Sequence, residues 1–229
     1  RLRRLSLHTR LVLWSAVVLV LVGWVGILLG EYKQAGVLSD LPLGERLLRS
    51  WFQSVAARSA GFTGLADFSN LHDTSRLLLI FLMFIGGAPA SMGGGITTGT
   101  FAVLVLAMWS LSRGYNRVHA GQRSISMGTV WRAVTVLIVS LLVVTFVTWL
   151  LLLTQDLSLS ETLFEVVSAF STTGLSLGVL GKLDGFGRLV MVALMFWGRL
   201  GAVTIVLILL KRPGQPTLKE YPEEIVLVG

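Results

Sequence analysis

The chain of 229 residues contains no cysteine, which excludes disulfide bonds, thiol nucleophiles and cysteine-ligated metal sites. Charged side chains are also scarce, at 14% of residues, whereas soluble proteins carry about 25%. In their place, 54% of residues are hydrophobic and the mean hydropathy is +0.79. Several apolar runs reach the roughly 20 residues that cross a bilayer. The composition therefore predicts a polytopic membrane protein and excludes an ordinary soluble domain.

Four long apolar stretches predict transmembrane spans, and they cover residues 11–30, 77–111, 131–154 and 188–211. The first follows a basic segment, as a signal peptide does, but it is too long and lacks a small-residue cleavage site. Two shorter stretches, 47–57 and 160–170, have only about three helical turns each, which suits re-entrant half-helices. The predicted order is span, half-helix, span, followed by the same three elements again.

The positions of the 19 basic residues predict the orientation of these spans. Eleven lie in or beside three segments, which the positive-inside rule assigns to the cytoplasm: the N-terminal arm, the loop 113–130 and the tail 213–229. The other side is expected to carry seven basic residues and nine acids, Arg58, Glu31 and Glu165 among them. Arg199 is left near the middle of the fourth span. Sidedness accounts for the net charge of +7, and nucleic-acid binding is not expected because no soluble domain could carry a basic face.

The sequence also repeats itself. Residues 81–86 match residues 193–198 at an offset of 112, and residues 56–63 match residues 169–176 at an offset of 113. Both repeats start on the same predicted side, so they are parallel and related by an axis along the membrane normal. The expected fold class is an all-α polytopic membrane protein with two tandem repeats, 1–112 and 131–212, each formed by a span, a pore helix and a second span.

Each half-helix is followed by small hydroxylated residues and a glycine, in segments 58–64 and 171–178. A loop that enters the membrane can turn backbone carbonyls toward a central axis and replace the hydration shell of a cation, and glycine permits the backbone conformations this needs. A single such glycine would be read as an ordinary loop residue, but the repetition favours a selectivity filter. Its candidate ion-binding residues are Ser59, Ala60, Gly61, Phe62, Thr63, Thr172, Thr173, Gly174, Leu175 and Ser176.

The second span is too long for a bilayer, because 35 helical residues would extend about 52 Å across a core of about 30 Å. Residues 86–95 interrupt it with one proline and five glycines, which disfavour helix. We interpret this glycine-rich segment as a gate below the filter, with a packing kink as the alternative. The candidate gating residues are Gly86, Gly87, Pro89, Ser91, Gly93, Gly94, Gly95 and Arg199.

Arg199 is included because a charge at the bilayer centre costs several kcal/mol unless it faces the protein interior. There it would either bind carbonyls freed by the broken span or act as a positive barrier in the ion path. The sequence offers no acid inside a span as its partner.

An enzymatic alternative comes from Gly174–Gly178, which fits the G-x-S-x-G motif of serine hydrolases with Ser176 as the nucleophile. Such a serine needs a base within hydrogen-bond reach. His8 and His119 fall on the opposite predicted side, and His72 lies in an outer loop. A non-enzymatic pore is therefore favoured, and no cofactor is expected.

Taken together, these motifs resemble the Trk/Ktr/HKT superfamily of potassium transporters. The matching segments are the two filter segments, the glycine-rich segment with Ile96, Gly198–Gly201 in the last span, and Tyr221–Glu224 in the tail. The resemblance implies K⁺ uptake through the cell membrane, with K⁺ bound at the filter residues and modest selectivity over Na⁺. Simple flux and coupling to Na⁺ or H⁺ both stay open, as does transport of another monovalent cation. Thr97 departs from the family pattern, because many relatives have lysine there.

The resemblance also implies partners. Members of the superfamily have four repeats around one pore, and this chain looks like the third and fourth. The pore is therefore expected to be completed either by an N-terminal half with two further repeats or by a second copy. Relatives are homodimers, and bacterial ones bind a cytosolic nucleotide-binding regulatory subunit of the TrkA/KtrA type. Membrane lipid is expected around the spans, with both ends of this chain in the cytoplasm.

Overall fold

The computed structural model describes residues 6–32, 37–39, 41–65, 67–88, 93–115, 118–120 and 123–200. Within them the chain is mostly helical. The predicted gating residues Pro89 and Ser91, the end of the fourth predicted span and the tail 213–229 lie outside the described residues. The helices are α1 (Leu7–Tyr32), α2 (Leu43–Ala56), α3 (Asp73–Phe84), α4 (Thr98–Ser112), α5 (Met127–Thr154), α6 (Leu159–Phe170) and α7 (Gly185–Leu200).

One element departs from the all-α expectation. Strands β1 (Val118–Ala120) and β2 (Arg123–Ile125) form an antiparallel ribbon in the basic loop, with Val118 opposite Ile125. Strands of three residues are too short to show a clear alternation of polar and apolar side chains, so the sequence pattern gave no signal for them.

Helices α1 and α5 are long and apolar enough to cross a membrane, with 26 and 28 residues and peak mean hydropathies of 2.6 and 2.9. Their apolar side chains largely face outward, as Trp14 on α1 and Leu142 and Phe146 on α5 illustrate. An apolar surface of this extent is typical of contact with lipid rather than water.

The second predicted span consists of two helices. Helix α3 ends at Phe84 and α4 begins at Thr98. The connection folds back on itself, because the Ile96 N–H donates to the Phe84 carbonyl over 3.1 Å and the Thr98 N–H donates to the Gly87 carbonyl over 2.9 Å. The two ends of the glycine-rich segment therefore lie side by side.

Side-chain caps begin several of the helices, α4, α6 and α7 among them. The Thr97 hydroxyl accepts the Thr100 N–H at the start of α4, which gives a local role to the residue that departs from the family pattern. Ser158 caps α6 in the same way. Before α7, the Asp184 carboxylate accepts the Gly187 N–H over 2.7 Å, and this bond lowers the pKa of that carboxyl.

Helix α6 lies at the centre of the described structure. It packs against α3, α5 and α7, and Phe164 and Phe170 are completely enclosed in the core. Helix α2 packs on α1 but leaves a row of apolar side chains uncovered, formed by Leu48, Trp51, Phe52 and Val55.

Candidate functional site

The loops that follow α2 and α6 share an unusual backbone conformation. In the first loop (residues 57–65), φ is +67° at Ser59 and +74° at Gly61; in the second loop (residues 171–178), it is +50° at Thr172 and +87° at Gly174. The residue between each pair keeps a negative φ. Such alternation turns successive peptide groups to the same side of the chain. Because a non-glycine residue in this region costs about 1–2 kcal/mol, Ser59 and Thr172 are strained positions of the kind that cluster at functional sites.

The two loops face each other. A Cβ atom on Gly61 would lie 3.1 Å from the Thr173 carbonyl oxygen, and one on Gly174 would lie 3.3 Å from the Gly61 Cα. The Ser59 hydroxyl also donates to the Ser171 carbonyl at 3.5 Å. The structure thus brings the two predicted filter segments together at their glycines, where neither position has room for a side chain.

Several predicted filter side chains point away from this meeting point. The Thr173 hydroxyl is buried and bonds to that of Ser171 over 2.7 Å, and Leu175 belongs to the core. Phe62 is 70% exposed. The atoms nearest the two glycines where the loops meet are backbone atoms, the Thr173 carbonyl oxygen and the Gly61 Cα.

A buried polar side chain on each half-helix holds the loop that follows it. Glu165, 2% exposed, accepts the Ser176 hydroxyl at 2.6 Å and the N–H groups of Leu177 and Val179 at 2.8 and 3.3 Å. At the matching position, Gln53 accepts the Gly64 N–H at 3.2 Å. The charge count assigned Glu165 to the outer side of the membrane, and the structure adds that its side chain is buried against the loop. The missed signal was its position, 112 residues after Gln53 in the matching half-helix.

Removing the Glu165 acceptor is expected to destabilise the second loop. Glu165→Ala leaves three donors without their partner, at about 1–3 kcal/mol for each buried group, and we expect the thermal midpoint of unfolding to fall by at least several degrees. Glu165→Gln keeps an acceptor oxygen, as Gln53 does, and is expected to lose much less. Glu161→Ala on the same helix is the control, and an equal loss in both alanine variants would contradict this role for Glu165.

The glycine-rich segment contacts both loops. The Gly94 N–H is shared between the Ser171 carbonyl at 3.0 Å and the Thr172 hydroxyl at 2.9 Å. A Cβ on Gly94 would lie 2.5 Å from the Phe170 carbonyl oxygen, and one on Gly93 would lie 2.6 Å from the Ser59 hydroxyl. Backbone approaches this closely because these positions lack side chains.

Arg199 lies beside the same groups. It is exposed on α7 and lines a cavity of about 570 Å³ together with Arg58, Ser59, Gly93 and Thr172. It also lines a second cavity of about 400 Å³ with Gly174. The structure therefore brings Arg199 and the described part of the glycine-rich segment to the two loops.

Two further charged residues that the charge count assigned to the outer side of the membrane bond inside the protein. The Arg58 guanidinium donates to the Ala16 carbonyl of α1 at 3.2 Å, because α2 ends at Ala56 and the residues after it turn toward α1. Glu31 is completely buried at the end of α1, where its carboxylate accepts the His72 N–H at 3.2 Å. Ser176 donates to Glu165 and not to that histidine.

Matching positions in the two halves of the chain make matching hydrogen bonds. Arg76 donates to the Ser69 carbonyl at 2.7 Å, and Arg188, 112 residues later, donates to the Gly181 carbonyl at 3.5 Å. The pairs Ser50–Arg46 and Thr162–Ser158 (hydroxyl to carbonyl) show the same offset. The correspondence seen in the sequence thus extends to side-chain contacts.

The helices and the paired loops are those of a membrane transport protein. The chain matches the family described as TrkH, cation transport protein, over residues 3–221, and it belongs to that family. The resemblance to the Trk/Ktr superfamily is confirmed, and the proteins of this family are membrane transporters rather than enzymes.

Named relatives agree with this assignment. The chain is 36% identical over 225 residues to the Ktr system potassium uptake protein B of Vibrio alginolyticus, covering 98% of this chain and 49% of that protein. It is 39% identical over 211 residues to the Ktr system potassium uptake protein D of Bacillus subtilis, covering 92% and 46%. It is 32% identical over 234 residues to the potassium/sodium uptake protein NtpJ of Enterococcus hirae, covering 100% and 51%. The chain spans about half the length of these curated relatives.

The fold agrees as well. The crystal structure of the potassium transporter TrkH from Vibrio parahaemolyticus matches with a TM-score of 0.68 at 22% sequence identity, covering 90% of this chain and 44% of that one. The similarity in structure is therefore clear where the sequences have diverged.

Proposed function

We propose that this chain forms part of a K⁺-conducting pore in the cell membrane, with the ion bound by backbone carbonyls of the two loops. The observation that carries the proposal is the pair of loops with alternating signs of φ, which meet at Gly61 and Gly174. Ser59, Ala60, Thr172 and Thr173 would supply further carbonyls. The names of the relatives, which are potassium uptake proteins, support K⁺ as the transported ion.

The glycine-rich segment would close this pore. It hydrogen-bonds to Ser171 and Thr172 through Gly94, so it lies against the groups that would hold the ion. Arg199 beside it would add a positive charge to the closed path, which repels cations. In this proposal the N-terminal arm, the loop 113–130 and the tail face the cytoplasm, following the distribution of basic residues.

The packing of the half-helices supports a pore of more than two units. Helix α6 packs against α5 and α7 and also against α3 from the first half of the chain, whereas α2 packs on α1. The uncovered face of α2 has Trp51 and Phe52 at its centre. By analogy with α6, this face would be covered by a further unit of the same kind, from an N-terminal half or a second copy.

Other partners are also proposed. The relatives are named as parts of a Ktr system, which supports a regulatory subunit. We propose that a cytosolic nucleotide-binding subunit contacts the basic loop 113–130, including its β-ribbon, and that the complete transporter is a homodimer.

The proposal is tested by measuring ion uptake into proteoliposomes that contain the complete gene product carrying this chain. We expect saturable K⁺ uptake under an inward gradient, with empty liposomes as the control. Parallel measurements with Na⁺ and at several pH values would separate simple K⁺ flux from coupled transport. Uptake of Na⁺ without K⁺ would mean that Na⁺, not K⁺, is the transported ion, and one relative is named a potassium/sodium uptake protein. The absence of any cation flux through folded protein would contradict the proposed pore.

A further inference from the structure

Arg58 joins the first loop to both ends of the glycine-rich segment. Its Nη2 atom donates to the Gly86 carbonyl at 3.3 Å and to the Thr98 hydroxyl at 2.5 Å. The Thr98 hydroxyl in turn reaches the Gly87 carbonyl at 3.0 Å. Through Nη1 the same guanidinium holds the Ala16 carbonyl of α1 at 3.2 Å. A single side chain therefore links α1, the end of α3 and the start of α4.

Stability of the fold alone does not explain why an arginine makes these contacts. In the part of the chain that the structure describes, the ion pairs are Arg49–Glu45 and Arg76–Asp73, and Arg58 has no carboxylate partner. Among the described residues its guanidinium donates to carbonyl and hydroxyl oxygens, and its Nε atom is buried there without an acceptor. Arg58 is partly buried and lines the cavity of about 570 Å³, and taking part of a cation out of water without a counter-charge costs free energy, so a neutral residue would serve packing better. The planar guanidinium does provide donors in fixed directions, which suits holding several groups in one geometry.

We infer that Arg58 is a positioning residue that holds the described parts of the glycine-rich segment, residues 86–88 and 93–95, closed against the two loops. The inference rests on the function proposed above, and it names the Arg58 hydrogen bonds as the clamp that stabilises the closed state. Gly86 begins the segment and Thr98 lies shortly after it, and Gly94 between them contacts Ser171 and Thr172. Movement of the segment away from the loops would shift its ends relative to Ala16 and break the guanidinium bonds. Arg58 therefore sets how often the path is open, while Arg199 opposes the ion by its charge.

The inference is tested by K⁺ flux through the complete gene product with Arg58→Gln, Arg58→Lys, Thr98→Val and the double variant Arg58→Gln with Thr98→Val. Arg58→Gln is expected to raise maximal flux about tenfold, which corresponds to about 1.4 kcal/mol. The KM for K⁺ should stay unchanged, because the backbone at Gly61 and Gly174 remains in place. Arg58→Lys should resemble Arg58→Gln, since an ammonium group lacks the planar fork.

Thr98→Val should raise flux in the same direction, and the double variant should exceed Arg58→Gln by little, because the two groups act through one contact. Arg49→Gln on the preceding helix α2 is the control, since its partner is Glu45 on the surface, and its flux should equal that of the original protein.

Two outcomes would overturn the clamp. Normal flux in folded Arg58→Lys would assign the effect to charge, and additive effects in the double variant would show that the two groups act independently. If Arg58→Gln does not fold, normal flux in Thr98→Val overturns the inference. Failure of the unmodified protein to conduct K⁺ would instead contradict the proposed function.

Discussion

Replacing Gly174 by serine is expected to lower the ratio of K⁺ to Na⁺ permeability about tenfold. Gly174 has a φ of +87°, where a side chain costs about 1–2 kcal/mol, and a Cβ there would lie 3.3 Å from the Gly61 Cα. The loop would relieve both effects by shifting, which moves the carbonyls proposed to replace the hydration shell of the ion. If the distortion changes the difference between the binding free energies of K⁺ and Na⁺ by about 1.4 kcal/mol, the permeability ratio changes about tenfold. Reversal potentials in mixed K⁺ and Na⁺ solutions measure it.

The matched control for this variant is Gly114→Ser. Gly114 has a φ of +72°, and a Cβ there would meet no other part of the protein within 4 Å. It lies after α4, away from the two loops. The substitution carries a similar backbone strain without a contact, so we expect the permeability ratio to stay unchanged. If folded Gly174→Ser protein discriminates as well as the original, Gly174 does not belong to the filter.

Deleting Gly93, Gly94 and Gly95 is expected to raise the K⁺ flux about thirtyfold. The deletion removes the Gly94 N–H that Ser171 and Thr172 share, and leaving the buried Ser171 carbonyl without it costs about 2 kcal/mol. A loss of about 2 kcal/mol from the closed state shifts the balance of closed and open forms by about thirtyfold. The initial rate of K⁺ uptake into proteoliposomes, normalised to the amount of folded protein, measures the effect.

A substitution tests the same contact without shortening the chain. Gly94→Ala would place a Cβ 2.5 Å from the Phe170 carbonyl oxygen, so the segment must move away from the second loop and flux should rise. Gly44→Ala, at a position with open space around it, should leave flux unchanged. Unaltered or reduced flux in folded protein with the deletion or with Gly94→Ala would count against the segment as a barrier.

Local sequence patterns predicted much of the fold. Helices α1 and α5 follow from long apolar runs, because a segment in lipid must satisfy its own backbone hydrogen bonds. The interruption after Phe84 follows from the cluster of glycines with Pro89, since these residues disfavour helix wherever they occur. The short β-ribbon was missed because two strands of three residues have no pattern long enough to recognise.

The candidate site was predicted in part. The sequence marked Gly61 and Gly174 through their repetition, but it could not show that they face each other, since contact between residues 113 apart depends on how the helices pack. It assigned Arg58 and Glu165 to the outer side of the membrane, but it could not show that their side chains bond inside the protein. Hydrophobicity and charge locate a residue along the chain, whereas its depth depends on the direction in which the half-helix enters the protein.

The sequence by itself determined the membrane class, the interrupted span and the repeated loops, because each rests on the composition of one continuous segment. Only the tertiary structure decided which atoms the loops offer at their meeting point, and that Glu165 and Gln53 hold them. It also decided that Arg58 reaches both ends of the glycine-rich segment. These are contacts between distant segments, and they form only when packing of α6 against α3, α5 and α7 brings those segments together.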